Sequence, residues 1–323
     1  MKIETDIAEI LPPQKQLYLF GYNNYFNIFI KLFNQKKLPN VIILSGSKGS
    51  GKATFAYHFV NYLLSSKEDY KYSLSNFSIN PENKSFISLS NSIHPNFFLL
   101  DDLNSELSIK IENVKKTLSF LNRSTLYSNI KIILIDNAEY LNISSSNALL
   151  KALEEPSPNT FFFLIHNSSS KILNTIKSRC ISFRFNFNNL EKKNILLEII
   201  KRNNFDFVIN NLDENFYYDT PGNIVKYLKI LSDNKLNYVG NKKSCITNLI
   251  DKYKQKKDFQ LLDFIVFLIE IFYRDLSLKN SNKLHIYSYN KFKILKQISD
   301  LKKFNLDKNI IFTSLQDILH NEA

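Results

Sequence analysis

Residues 41–54 read Val41-Ile42-Ile43-Leu44-Ser45-Gly46-Ser47-Lys48-Gly49-Ser50-Gly51-Lys52-Ala53-Thr54. The first four are apolar and three of them are β-branched, the signature of a buried parallel strand. Gly46 to Lys52 then spell G-x4-G-K, the pattern of a phosphate-binding loop between a strand and a helix. The chain has only six glycines, and three of them stand here, at Gly46, Gly49 and Gly51. Glycine lets successive backbone N–H groups converge on phosphate oxygens, the helix start adds partial positive charge, and Lys52 neutralises the outer phosphates. A bare strand-to-helix turn is the competing reading. Position 53 departs from the full pattern, in which a Ser or Thr hydroxyl ligates Mg²⁺. Ala53 has no oxygen, and Thr54 sits about 100° further round the helix.

A second stretch, Lys131-Ile132-Ile133-Leu134-Ile135-Asp136-Asn137-Ala138-Glu139-Tyr140-Leu141, ends an apolar strand in a carboxylate. It resembles the strand-end carboxylate that P-loop proteins use to hold the water shell of a magnesium ion, here Asp136. The next position, where a hydrolysing site carries a glutamate base, is Asn137. An amide can hydrogen-bond a water but cannot take its proton, and losing a general base costs roughly 10²–10⁴-fold in rate. Glu139 is expected to face elsewhere. Ala53 and Asn137 together describe a site able to hold a triphosphate but not to split it.

Outward from these segments, strands are expected at 97–100, 130–135, 160–165 and 180–185, with helices at 25–33, 52–64, 111–122 and 144–154. Strands alternating with helices predict a three-layer α/β domain around a mainly parallel five-stranded sheet, ending near residue 185. Residues 65–92, with little periodicity, read as a loop or an excursion. Beyond residue 187 the pattern is helical throughout, at 189–203, 222–232, 243–256, 259–279, 289–303 and 309–320. The division is therefore 1–185, 186–238 (a small helical domain) and 239–323 (a larger helical one).

In 323 residues, 44% are hydrophobic and 14% aromatic, enough for real cores and incompatible with a disordered chain. Net charge is +12, spread along the chain rather than gathered in a basic arm; it favours approach to nucleic acid but reads more simply as solvated faces. Cys180 and Cys245 make neither a disulfide framework nor a four-cysteine zinc site. Cys180, opening an apolar strand, reads as a buried structural thiol. The acidic, proline-bearing amino terminus lacks a secretory pattern and no apolar run reaches the roughly 20 residues of a bilayer span, so a cytoplasmic protein is expected.

Further segments carry a family resemblance: Leu38-Pro39-Asn40-Val41, His94-Pro95-Asn96, Asn147-Ala148-Leu149-Leu150-Lys151-Ala152-Leu153-Glu154-Glu155-Pro156, Thr160-Phe161-Phe162-Phe163-Leu164 and Ile176-Lys177-Ser178-Arg179-Cys180. In this order after a phosphate loop, the chain resembles the AAA+ clamp loaders, and among them the delta-prime-type subunits of bacterial DNA polymerase III. The likeness is strong over about 20–185 and weaker beyond, where Phe272-Tyr273-Arg274-Asp275-Leu276 is similar to a collar-domain motif. It implies an AAA+ P-loop domain, a helical lid and an all-α oligomerisation collar. It also implies a part in the DNA polymerase III holoenzyme: a subunit without ATPase of its own in a hetero-oligomer with gamma/tau and delta subunits, loading the sliding clamp on primed DNA.

In that family Arg179 reaches a neighbour's nucleotide as a trans-acting finger, a task suited to a permanently charged fork; a surface ion pair is the alternative. Gly46, Gly49, Gly51, Lys52, Thr54, Asp136, Asn137 and Asn167 are the implied nucleotide residues, with ATP bound but not hydrolysed. At the end of the fourth strand, either His166 or Asn167 meets a phosphate. Val225 stands where hydrolysing relatives carry the arginine of G-x-x-R, and residues 65–93 lack the four zinc cysteines of many relatives, so no zinc is expected. Glu154 and Glu155 read as capping or interface residues. An ATP-hydrolysing gamma/tau-type motor, and less simply a stand-alone P-loop enzyme, are the other readings.

Overall fold

Asn23–Asn34 forms helix α1, Val41–Gly46 strand β1 and Lys52–Leu64 helix α2. The computed structural model describes residues 10–101, 108–123, 125, 129–203, 205, 214–238, 240–304 and 307–320; the amino-terminal residues 1–9 read above lie outside them. The elements continue with α3 (Lys84–Ser90), β2 (Phe97–Leu100), α4 (Ile111–Leu121), β3 (Lys131–Ile135), α5 (Ile143–Glu154), β4 (Thr160–Asn167), α6 (Asn174–Lys177) and β5 (Ile181–Arg184). After them come α7 (Asn189–Arg202), α8 (Pro221–Asp233), α9 (Lys242–Gln255), α10 (Phe259–Lys279), α11 (Leu284–Phe304) and α12 (Lys308–His320). The chain divides into two compact units, residues 1–205 with 219–223, and residues 206–218 with 224–323.

The first unit is a parallel five-stranded sheet in the order β2-β3-β4-β1-β5. Every residue of β1 and β3 is buried, as expected where helices cover both faces. Side chains alternate between two cores. Ile42, Leu44, Ile132, Leu134 and Phe163 face Phe26 and Phe29 of α1 and Phe55, Phe59 and Leu63 of α2. Val41, Ile43, Ile133, Ile135, Phe162 and Leu164 face Val114 and Phe120 of α4 and Leu149 and Leu153 of α5. The α/β sandwich is therefore the one the alternation of strand and helix predicts, with an aromatic upper core.

The stretch 65–92 is more structured than expected. Asn83 caps α3 by accepting from the Phe86 N–H at 2.6 Å, takes a bond from Asn61 Nδ2 at 2.9 Å, and leaves α3 tied to α2. The buried His58 bridges Tyr72 and the Gln16 carbonyl at 3.0 and 3.1 Å. A carbonyl only accepts, so Nε2 carries the proton and Nδ1 accepts from the Tyr72 hydroxyl. Side-chain caps of this kind leave no hydrophobic period for a sequence reading to detect. Among the described residues, no three His, Cys, Asp or Glu side chains cluster to hold a metal.

In the second unit α10 packs against α9 and α11, and α12 against α9 and α11. Phe264 stacks on Tyr227 at 4.5 Å, and Cys245, Ile246, Leu249, Leu262, Ile265 and Leu268 fill the centre. Helix α11 begins at Leu284, five residues before the expected start, because Ser281–Lys283 makes a tight turn that leads straight into it. Among the described residues no helix is long and apolar enough to cross a membrane.

Candidate nucleotide-binding site

The carboxyl ends of β1, β4 and β3 lie side by side, with Gly46 registered against Asn167. Open parallel sheets bind ligands at this edge. Gly49 and Gly51 have φ of 81° and 90°, the left-handed region that β-carbon sterics deny other residues. A side chain at Gly46 would meet the Phe185 carbonyl at 2.6 Å. The three glycines thus hold the loop in a shape no other residue fits.

Inside the loop, Lys52 is 5% exposed and its ammonium donates to the Gly46 and Ser47 carbonyls at 2.9 and 2.7 Å. Burial lowers its pKa to about 8, against the opposing pull of the Glu139 and Asp136 charges. The Ser50 hydroxyl is buried without a hydrogen-bond partner among the described residues, while the Ser50 carbonyl accepts from the buried Tyr22 hydroxyl at 2.7 Å. Buried hydroxyls are almost always satisfied. An orphan one within a loop of glycines beside a helix start fits a phosphate oxygen as its missing partner.

Asp136 ends β3 half-buried. Burial, with Asp101 and Glu139 adding to it, holds its carboxyl above the usual range, against the Asn137 N–H at 2.9 Å and the Lys52 charge. Asn137 has φ 52°, after which a tight turn over Ala138–Tyr140 brings Glu139 back across the sheet edge. The Glu139 carboxylate accepts from the Asn167 N–H at 3.2 Å and its charge acts on Lys52. This corrects the expectation that Glu139 faces elsewhere: the left-handed Asn137 and the tight turn after it bring the carboxylate back to the strand end.

The Asn167 side-chain oxygen takes bonds from the Ser169 N–H and hydroxyl at 3.3 and 3.0 Å. His166 Nε2 donates to the Ser170 carbonyl at 3.0 Å, and Nδ1 accepts from the Ser45 hydroxyl at 3.2 Å. Both side chains are engaged in shaping the strand end. Thr54 is half-buried on α2, one residue past Ala53.

The start of α8 also bonds the loop. Thr220 Oγ1 donates to the Lys48 carbonyl at 2.8 Å, the Gly222 N–H to the Gly49 carbonyl at 3.0 Å, and Asn223 Nδ2 to the Lys48 carbonyl at 3.4 Å. A side chain on Gly222 would strike the Gly49 carbonyl at 2.6 Å, and one on Gly49 the Thr220 hydroxyl at 2.4 Å. The start of α8 is thereby clasped to the loop. An isolated glycine after Pro221 was the available signal, since a lone glycine at an element start marks close backbone approach. Val225, further along α8, is buried.

Arg179 lies elsewhere. Strand β5 runs parallel to β1 with Ile181 opposite Ile42, so Arg179, just before β5, stands at the amino end of the sheet. At about 3.3 Å per residue the loop is roughly 20 Å away along the strands. Its side chain is 28% exposed and paired with Glu154. Cys180 is half-buried, its thiol pushed up to about 12 by burial despite the Arg179 charge, which leaves it unreactive.

A strand–phosphate loop–helix with a carboxylate at the end of β3, one strand removed from β1, is a P-loop nucleotide-site architecture. The family described as DNA polymerase III, delta subunit, matches residues 21–189, and the chain belongs to it. The DNA polymerase III subunit delta' of Pseudomonas aeruginosa is 33% identical over 175 residues, covering 54% of this chain and 48% of that protein. The subunit delta' of Buchnera aphidicola subsp. Schizaphis graminum is 32% identical over 187 residues, 57% and 53% of the two chains. The DNA polymerase III subunit gamma of the same organism is 30% identical over 199 residues, 60% and 52%. The chain spans about half the length of these relatives. A gamma subunit-related protein from Thermotoga maritima aligns over 94% of this chain and 99% of its own at 16% identity, with a TM-score of 0.46.

Proposed function

We propose that this chain is a delta-prime-like subunit of the DNA polymerase III clamp loader, a non-hydrolysing scaffold that lends Arg179 to the ATP site of a neighbouring subunit. The carrying observation is the placement of the partly exposed Arg179 at the sheet end opposite its own phosphate loop. A guanidinium about 20 Å from its own loop can meet a triphosphate only on another molecule. Its partners in this reading are gamma/tau and delta subunits, with the clamp and primed DNA reached through the assembly in the cytoplasm. The regions 186–238 and 239–323 act as lid and collar.

The loop suits a triphosphate held by the backbone of 47–52, the Ser50 hydroxyl and Lys52, once the ammonium exchanges the Gly46 and Ser47 carbonyls for phosphate oxygens. Bound ATP would supply charge and rigidity here rather than chemistry. Ala53 offers magnesium no ligand, and Asn137 offers water no base. Thr54, one position on, and Asn167, bound into its own turn, are secondary contacts in this reading.

The purified chain is expected to show negligible ATPase, while Arg179→Ala lowers the ATPase of the assembled loader on the order of 10³-fold. An unchanged rate in that assembly would remove the finger. One observation favours the motor reading instead: Glu139 is a carboxylate at the loop, in the electrostatic company of Lys52 and Asp136. Magnesium-dependent turnover by the isolated chain that vanishes in Glu139→Gln would establish that second reading.

A further inference from the structure

We propose that Glu154, the last residue of α5, is a positioning residue for Arg179 and sets the direction in which its guanidinium is presented. This rests on the reading of Arg179 as a trans-acting group and adds the residue that aims it. Arg179 Nε donates to Glu154 Oε1 at 2.6 Å and Nη2 donates to the same oxygen. On the other side Nη1 donates to the Thr175 carbonyl at 2.7 Å and to the Ser178 hydroxyl at 3.3 Å. Four of the five N–H groups are committed. One N–H of Nη2 has no partner among the described residues, and it marks the end of the fork left to meet an anion.

The two holding points are themselves fixed. Leu149 and Leu153 anchor α5 in the lower core, and Ile176 anchors α6 there. A carboxylate exposed by 47% contributes little to stability through such a pair, because solvent screens it. Direction is what it can supply. A free arginine side chain samples many rotamers, and ordering it before the neighbour arrives removes that entropic cost from the productive encounter. Glu155, next in the chain and exposed, is the built-in control for loss of charge alone.

The test is steady-state ATPase of the reconstituted loader with primed DNA and clamp, each variant first shown to co-elute with the assembly. Glu154→Ala is expected to lower kcat about tenfold with KM for ATP changed less than about twofold, the pattern of lost orientation. Glu154→Gln keeps an acceptor oxygen and should lose no more than about threefold. Glu155→Gln should match wild type, and Glu154→Ala should add nothing once Arg179→Ala is present. Should Glu154→Ala fail to assemble, Glu154→Asp, one methylene short but still charged, carries the same question and should lower kcat more than Glu154→Gln does. Unchanged turnover in these Glu154 variants overturns the proposal while leaving the finger intact. Raised turnover overturns it too, by showing that Glu154 masks the arginine. If Arg179→Ala itself has no effect, the underlying reading fails and takes this one with it.

Discussion

At the scale of single residues, Lys52 shows how far this site departs from a stability optimum. Its ammonium is buried against two carbonyls, and burial brings its pKa to about 8 from 10.5. Below pH 8 the lysine is charged both folded and unfolded, and the folded state bears the cost of the buried charge. Between 8 and 10.5 the unfolded chain binds the proton more tightly, so wild-type stability rises with pH across that window. Lys52→Met should therefore be more stable than wild type at pH 7 by about 2 kcal/mol. Urea unfolding at pH 7, 9 and 10.5 checks it: the gap must narrow as pH rises, and a constant gap refutes the buried charge. Asn137 tells a complementary story. Its left-handed backbone, φ 52°, costs most L-residues 1–2 kcal/mol but suits asparagine. Asn137→Ala should be less stable than Asn137→Gly by about 1 kcal/mol in the same assay. The amide at this position thus has a conformational reason of its own.

Elements rather than residues decide the state of the phosphate loop. Loop 46–51 and the start of α8 meet through two glycines whose missing side chains each make room for the other's neighbourhood. Gly222→Ala drives a β-carbon into the Gly49 carbonyl, and repulsion of this kind costs about 1–3 kcal/mol. We expect the amides of 47–52 to exchange with solvent at least tenfold faster in Gly222→Ala than in wild type, with little change in β3 or β4. Equal exchange would mean that the clasp contributes nothing to loop order. The inner strands β1, β3 and β4 were readable from their apolar runs because a strand covered on both faces is apolar over most of its length. The capped helix α3 and the tight turn through Glu139 were not, because both are made by polar side chains and one backbone dihedral.

For the whole molecule, charge is the property with the longest reach. A net +12 spread along the chain rather than gathered in a basic arm predicts weak, sequence-independent attraction to DNA that salt removes. Fluorescence anisotropy of a labelled duplex with the isolated chain should show affinity falling at least tenfold between 50 and 200 mM salt, equally for unrelated sequences. A sequence preference that survives high salt would point to a base-reading surface that the sequence does not announce.

The amino-acid order alone determined the alternation of strand and helix, the phosphate loop, and the absence of a hydroxyl at Ala53 and a carboxylate at Asn137, because these depend on residue type and local spacing. It did not determine where Glu139 points, that Lys52 bonds the loop's own carbonyls, that Thr220, Gly222 and Asn223 clasp the loop, or that Arg179 is held by Glu154. Each of those joins groups from different elements, and for all but Lys52 they are 25 or more residues apart. Such pairings leave no periodicity in the chain; they exist only once strand order and helix placement have set the distances.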